Sequence, residues 1–195
     1  MKFIEEKLIP VLLCMALFIC NADVLRAETD SFSLISYVEN HHIGSQAEFN
    51  EVLQTYCSQY YVEPVEEEGE SFQVGIDYEN SLVYTAFYIN TSETRSTKSG
   101  RAQKNYYSDT GERAFTISVE GVFSYSSTEC HTISTTGSFT KPFASPWNSS
   151  PSLTSGNFTA TSAYSKISGT ATYLYQSQSY SLTLVCNQYG DISWF

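Results

Sequence analysis

The chain has 195 residues, with 21 acidic against 10 basic side chains, a formal net charge of −11 and 42% hydrophobic residues. So acidic a balance offers nucleic-acid phosphates no basic footprint, and it opposes unaided adsorption to anionic membranes or wall polymers. The charge is also unevenly spread: residues 28–79 hold 12 Asp or Glu and no Lys or Arg, while residues 80–113 hold five basic residues against three acidic ones.

Residues 1–27 read as an export signal. Lys2 and Lys7 precede the apolar run Leu8–Cys20, and small residues follow it. Such a run is too short to span a bilayer but suits a signal-peptide core. Cleavage after Ala22 or Ala27 satisfies the small-residue rule, so the secreted chain is expected to start at Asp23 or Glu28. The rival is an uncleaved membrane anchor, because Glu5 and Glu6 dilute the positive start. Lipid attachment at Cys20 is excluded by the bulky Ile19 before it. No membrane association is expected once the signal is removed.

The remainder is long enough for one domain with a core, or one domain and a smaller N-terminal unit. Ser45 with Glu48 forms a capping box, and Ala47, Phe49, Val52, Leu53 and Tyr56 continue at helical spacing to about Cys57. Glu63–Glu70 is an acidic connection broken by Pro64 and Gly69. Phe72, Val74, Ile76 and Tyr78 alternate, Glu79-Asn80 turns, and Leu82–Ile89 returns, which predicts a hairpin over 71–90. Residues 92–108 read as a polar loop. Within it Arg95, Lys98, Arg101 and Lys104 recur every third residue, and on an extended three-per-turn strand they would line one edge. That arrangement reads either as an anion-binding loop or as a solvated hairpin tip facing the chain's own acidic stretch.

From Ala114 onward short alternating segments predict strands over 114–125, 128–134, 157–164, 166–175, 180–186 and 191–195. Pro142, Pro146 and Pro151 mark a long crossover. Ser and Thr make 30 of the 82 residues in 114–195, as the solvent faces of antiparallel strands require. The fold expected is therefore mainly β: an antiparallel β-sandwich-like domain over 109–195, preceded by a small helix-plus-hairpin portion over 28–108.

Cys57, Cys130 and Cys186 remain after the signal. Cys130 and Cys186 end strands of one domain in an exported chain, so they are the expected disulfide, and Cys57 is either a buried thiol or an intermolecular partner. No catalytic constellation emerges. His41 and His42 are adjacent and lack metal-ligand spacing, and His131 follows Cys130 on a strand. Ser138 with Lys141 matches the S-x-x-K of penicillin-interacting enzymes, and Lys98-Ser-Gly100 imitates their K-T-G, but in the wrong chain order. Asp77 and Glu79 have carboxylate-pair spacing without the flanking residues of a sugar cleft. No phosphate loop appears, and no cofactor is implied. Among the 15 Tyr and two Trp, Trp147 and Trp194 sit beside turns, where aromatic faces stack on sugars or anchor a protein partner.

Gly121–Cys130 (GVFSYSSTEC), Trp147, Ser155–Ala160 (SGNFTA) and Leu182–Ile192 (LTLVCNQYGDI) resemble a family of small secreted proteins of Gram-positive, often gut-associated, bacteria, known only as a domain of unknown function. The resemblance covers residues 113–192 and implies a β-sandwich-like domain with a Ser-Gly-Asn turn between the two cysteines. It implies no activity or catalytic residue. The sequence thus points to a secreted non-catalytic interaction module for an extracellular protein or glycan. The alternative is a secreted hydrolase or inhibitor acting on host or wall material.

Overall fold

In the computed structural model, which describes residues 32–57, 69 and 71–195, the period-two segments pair into two antiparallel sheets. The first holds β1 (Ser71–Asp77), β2 (Leu82–Glu93), β3 (Thr97–Ser108), β4 (Arg113–Tyr125) and β5 (Cys130–Thr140) in chain order. The second holds β6 (Ser152–Thr159), β7 (Ser162–Tyr173), β8 (Gln176–Asn187) and β9 (Ile192–Trp194), again in chain order. Each sheet is a meander, and the 141–151 segment is the crossover between them. The predicted export signal and most of the acidic connection lie outside the described residues.

The sheets pack face to face through the alternate residues of each strand. Phe115, Ile117, Val119 and Phe123 of β4 meet Ile167 and Ala171 of β7 and Leu182 and Leu184 of β8 in one buried cluster. Tyrosines fill this layer by lying over glycines on the neighbouring strand. Gly75 pairs with Tyr84 and Gly169 with Tyr180, and a Cβ placed on Gly169 would come 2.6 Å from the Tyr180 hydroxyl. A ring laid over a bare backbone recovers the contact area that glycine lacks. The last strand is tied to the first, because Trp194 Nε1 donates to Ser71 Oγ at 2.8 Å.

The outer face of the first sheet carries a second core beneath two helices, α1 (Leu34–Asn40) and α2 (Gln46–Tyr56). Phe49 of α2 packs on Tyr107 at 5.0 Å, and Leu34, Phe49, Val83 and Phe87 are all fully buried. The capping box forms in part: Ser45 Oγ accepts from Glu48 N, while Glu48 Oε2 reaches the amide of Gly44 rather than that of Ser45. Helix α1 is shorter than the sequence pattern can register. It forms because Ser33 Oγ caps Ser36 N while Asp109 Oδ1 takes both Ile35 N and the Ser33 hydroxyl. Those bonds satisfy amides that a helix start leaves without partners.

Three expectations change. Residues 97–108 are not a loop but β3, the central strand of the first sheet, whose polar side chains hid its alternation. The boundary expected at 108/109 falls between hydrogen-bonded neighbours β3 and β4, and Ser33–Phe195 forms one compact unit. The Ser155-Gly156-Asn157 segment lies inside β6, paired with Ala163–Ser165, so the turn comes later, at Ala160-Thr161.

Tyr107 is wholly buried, and its hydroxyl engages Thr85 and Gln46; burial above all pushes its pKa up to about 12. Tyr106 is shifted upward too, again first by burial. The folded state thus holds these protons longer than an unfolded chain, whose tyrosines titrate at ~10. Their contribution is full below pH ~10 and is lost as pH rises toward about 12. Tyr107→Phe should flatten that alkaline loss while costing roughly 1 kcal/mol at neutral pH for its lost hydrogen bonds. Urea midpoints across the alkaline range check this, and an unchanged slope in the variant would rule out the Tyr107 hydroxyl as the cause.

Candidate functional site

Four connections converge at one end of the sandwich, and three of them are held by their own side-chain bonds. In the β1–β2 turn, Asp77 Oδ1 accepts from the amides of Glu79 (3.0 Å) and Asn80 (3.3 Å). Asn80 Nδ2 then reaches Gln178 Oε1 of β8 at 2.9 Å, linking the two sheets. The expected carboxylate pair is therefore a turn device: Asp77 shapes the turn and Glu79 stands within it. In the β3–β4 turn, Ser108 Oγ accepts from Glu112 N and bonds Thr110 Oγ1.

The crossover is strapped down. Lys141 Nζ donates to Ser145 O (2.8 Å) and Asn148 Oδ1 (3.1 Å), Ser145 Oγ donates to Ala114 O, and Asn148 pairs with Thr172 of β7 through both backbone groups. Lys141 is thereby committed to the crossover, while Ser138 bonds Ser118 at 2.9 Å, so the two residues of the S-x-x-K match are engaged apart from one another.

Between these connections lies a cleft of ≈ 890 Å³. One wall is aromatic: Trp147 is buried against Phe115 (5.5 Å) and Tyr173 (6.0 Å), and Phe143 stands wholly in solvent. Asn80, Ser108, Thr110, Ser145 and Gln176 contribute amides and hydroxyls to the lining. Its charged members are Asp109, Glu112 and Arg113, of which Asp109 is already engaged by α1. Beside Tyr173 and Gln176, the β7–β8 tip exposes Leu174 and Tyr175. Leu174 has φ 51° and Ser81, also lining the cleft, has φ 53°; no other non-glycine among the described residues has positive φ. A left-handed conformation costs a leucine roughly 1–2 kcal/mol, and such strain gathers where surrounding structure enforces it.

The other sequence-selected residues are dispersed. Arg95 lies in the exposed β2–β3 turn, and strand alternation sends Lys98 and Lys104 to one face of β3 and Arg101 to the other, so the four do not line an edge. Lys98 pairs with Glu93 at 3.3 Å. Lys104 Nζ lies over the rings of Tyr84 (3.6 Å) and Tyr106 (5.2 Å), and its pKa is lowered, first by burial, with Asp77 opposing. Trp194 sits at the far edge of the second sheet, outside the cleft lining. His41 stacks on Tyr37 at 4.0 Å, and His131 pairs with Glu129 at 3.2 Å. Among the described residues no group of three His, Cys, Asp or Glu is placed to hold a metal, and no helix is long and apolar enough to cross a membrane.

Cys130 and Cys186 meet across the two sheets, both fully buried, but as free thiols in hydrogen-bond contact rather than as the expected disulfide. Burial first, then the neighbouring Cys130, pushes the Cys186 thiol up to about 12. Cys57 is a buried free thiol packed on Gly111, its pKa raised first by burial and then by Asp109.

Phe143 was missed because alternation selects strands and it stands between them, and Leu174 and Tyr175 because the strand expected over 166–175 was carried through what is a turn. Large apolar side chains at turn positions were the available signal.

The fold is a β-sandwich-like domain with a helical layer on one face and a cleft at one end. No family model, curated protein or solved structure matches the chain.

Lys104 offers a test of its burial. Its lowered pKa means the unfolded chain binds more protons just below the usual lysine value of ~10.4, so its presence makes stability rise with pH through that window. The stability of Lys104→Met relative to the wild type should therefore fall as pH approaches 10, while Arg95→Ser should stay within ~0.5 kcal/mol at every pH. Equal pH dependence in both variants, from urea unfolding, would place the Lys104 ammonium in solvent.

Proposed function

We propose that the chain is an exported, non-catalytic interaction module that binds an extracellular protein or glycan in the end cleft. The observation that carries this reading is the wholly exposed Phe143 and Tyr175 beside a preformed cavity. Folding gains nothing from leaving such rings in water, and a concave site with aromatic walls and a few polar groups is the usual form of a ligand site. Export is supported by the signal-like N-terminus and by the likeness of Gly121–Cys130 and Leu182–Ile192 to secreted proteins of Gram-positive bacteria. Immobilised mature protein should retain mucin, wall glycan or a surface protein, and Phe143→Ser with Tyr175→Ser should weaken retention about tenfold, ~1.4 kcal/mol. Retention indifferent to both changes would remove the cleft from the function.

In an exporting environment we propose that Cys130 and Cys186 become a crosslink between the sheets. Two thiols would lose two protons and two electrons to a disulfide-bearing oxidant, which is reduced to its own thiols. Their contact across buried faces supports this pairing, and Cys57 on the helical side is outside it. Peptide mapping of the secreted protein without reductant should recover one crosslinked pair, 130 with 186, worth ~4 kcal/mol by loop entropy. A crosslink through Cys57 would refute the pairing.

A further inference from the structure

We infer that the end cleft takes a neutral oligosaccharide, an inference that rests on the reading of this cleft as the binding site. A pyranose ring has one face of C–H bonds and a rim of hydroxyls, so its site needs an aromatic plate beside short polar groups. The cleft supplies both. Phe143 offers a whole ring to solvent and Tyr173 part of one, and Trp147 behind Tyr173, itself packed on Phe115, makes that wall rigid. The electron-rich ring faces attract the slightly positive C–H face of the sugar.

Gln176, Ser81 and Thr110, on three different connections, add exposed polar side chains to the lining. Each reaches a hydroxyl as donor or acceptor without bringing a charge. A cavity of ≈ 890 Å³ lies within the usual range for ligand pockets and exceeds what a single small solute fills.

Charge decides between ligand classes. Glu112 is exposed at the rim and Asp109 lies in the wall, against Arg113 alone, in a chain of net −11. An anionic sugar polymer meets repulsion there at long range. A lipid surface would force the exposed Glu112 carboxylate against headgroup and hydrocarbon, a costly desolvation. A peptide recognised by strand addition needs a free strand edge, whereas turns and the strapped crossover build this cleft. A neutral, hydroxyl-rich chain meets none of these penalties.

The test uses the mature protein carrying Trp194→Phe, so that Trp147 at the cleft is the remaining tryptophan reporter in the folded domain. Cellohexaose, chitohexaose and maltohexaose are titrated against its emission, with polygalacturonate, a proline-rich decapeptide and phosphatidylcholine vesicles as the competing classes. At least one neutral hexasaccharide should shift the emission saturably, with little change between low and physiological salt, since no charge pair is screened. Phe143→Ser and Gln176→Ala should each weaken it about tenfold, and Tyr56→Ser, an exposed ring on α2, should leave it unaltered. If the decapeptide or the vesicles bind in a Phe143-dependent way and no neutral sugar does, the saccharide class is overturned while the cleft reading stands. Salt-sensitive binding of polygalacturonate alone overturns the neutral class in the same way. If no probe binds and retention of mucin or wall material ignores Phe143, the inference and the cleft reading fall together.

Discussion

Phe115 is the residue on which both sheets and the crossover close. Its ring stacks on Tyr106 of β3 at 4.4 Å and on Phe139 of β5 at 5.2 Å, and meets Trp147 of the crossover at 5.5 Å and Tyr180 of β8 at 6.3 Å. One buried ring thus joins three strands in two sheets and the segment that links them. Offset and tilted aromatic pairs add roughly 0.5–1.5 kcal/mol each beyond the area they bury, so removing this ring would loosen four neighbours and leave a large cavity. The cleft depends on the same cluster, because Trp147 is both a neighbour of Phe115 and part of the cleft wall.

The polar straps around the cleft divide the work with that cluster. Aromatic packing fixes where the crossover lies, and Lys141, Ser145 and Asn148 fix its path by taking up backbone groups that a proline-interrupted segment cannot pair along a strand. The backbone that carries Phe143 is thereby held on a stiff support. A segment already ordered before its ligand arrives loses less entropy on binding.

Much of this architecture was legible in the sequence, and the limits have physical causes. Alternation marked β1 and β4 because each has a run with one apolar and one polar face, whereas β2 showed as a nearly continuous apolar run because both its faces are buried. It missed β3, where the inner face carries Lys104 under tyrosine rings and the outer face carries Asn105, fully buried and bonded to Thr85 and Thr116. A three-residue spacing of cations looked like one edge only on the assumption of a three-per-turn backbone, and a sheet strand turns them to opposite sides. Cys130 and Cys186, expected as a disulfide, stand instead as neighbouring free thiols. The cleft itself was hidden, since its members come from four separate connections and only Trp147 among them had been singled out as a binding residue.

Tyr106 and Tyr107 are consecutive, yet one fills the layer between the sheets and the other the layer beneath the helices. Slipping β3 by one residue would therefore exchange the contents of the two cores at once. The strand is shared by the two layers, and the division near residue 108 falls between hydrogen-bonded strands. During synthesis the inner face of the first sheet stays uncovered until β7 and β8, late in the chain, have been made. Contacts so distant in sequence close slowly, and until they close the apolar face of the first sheet is open to water.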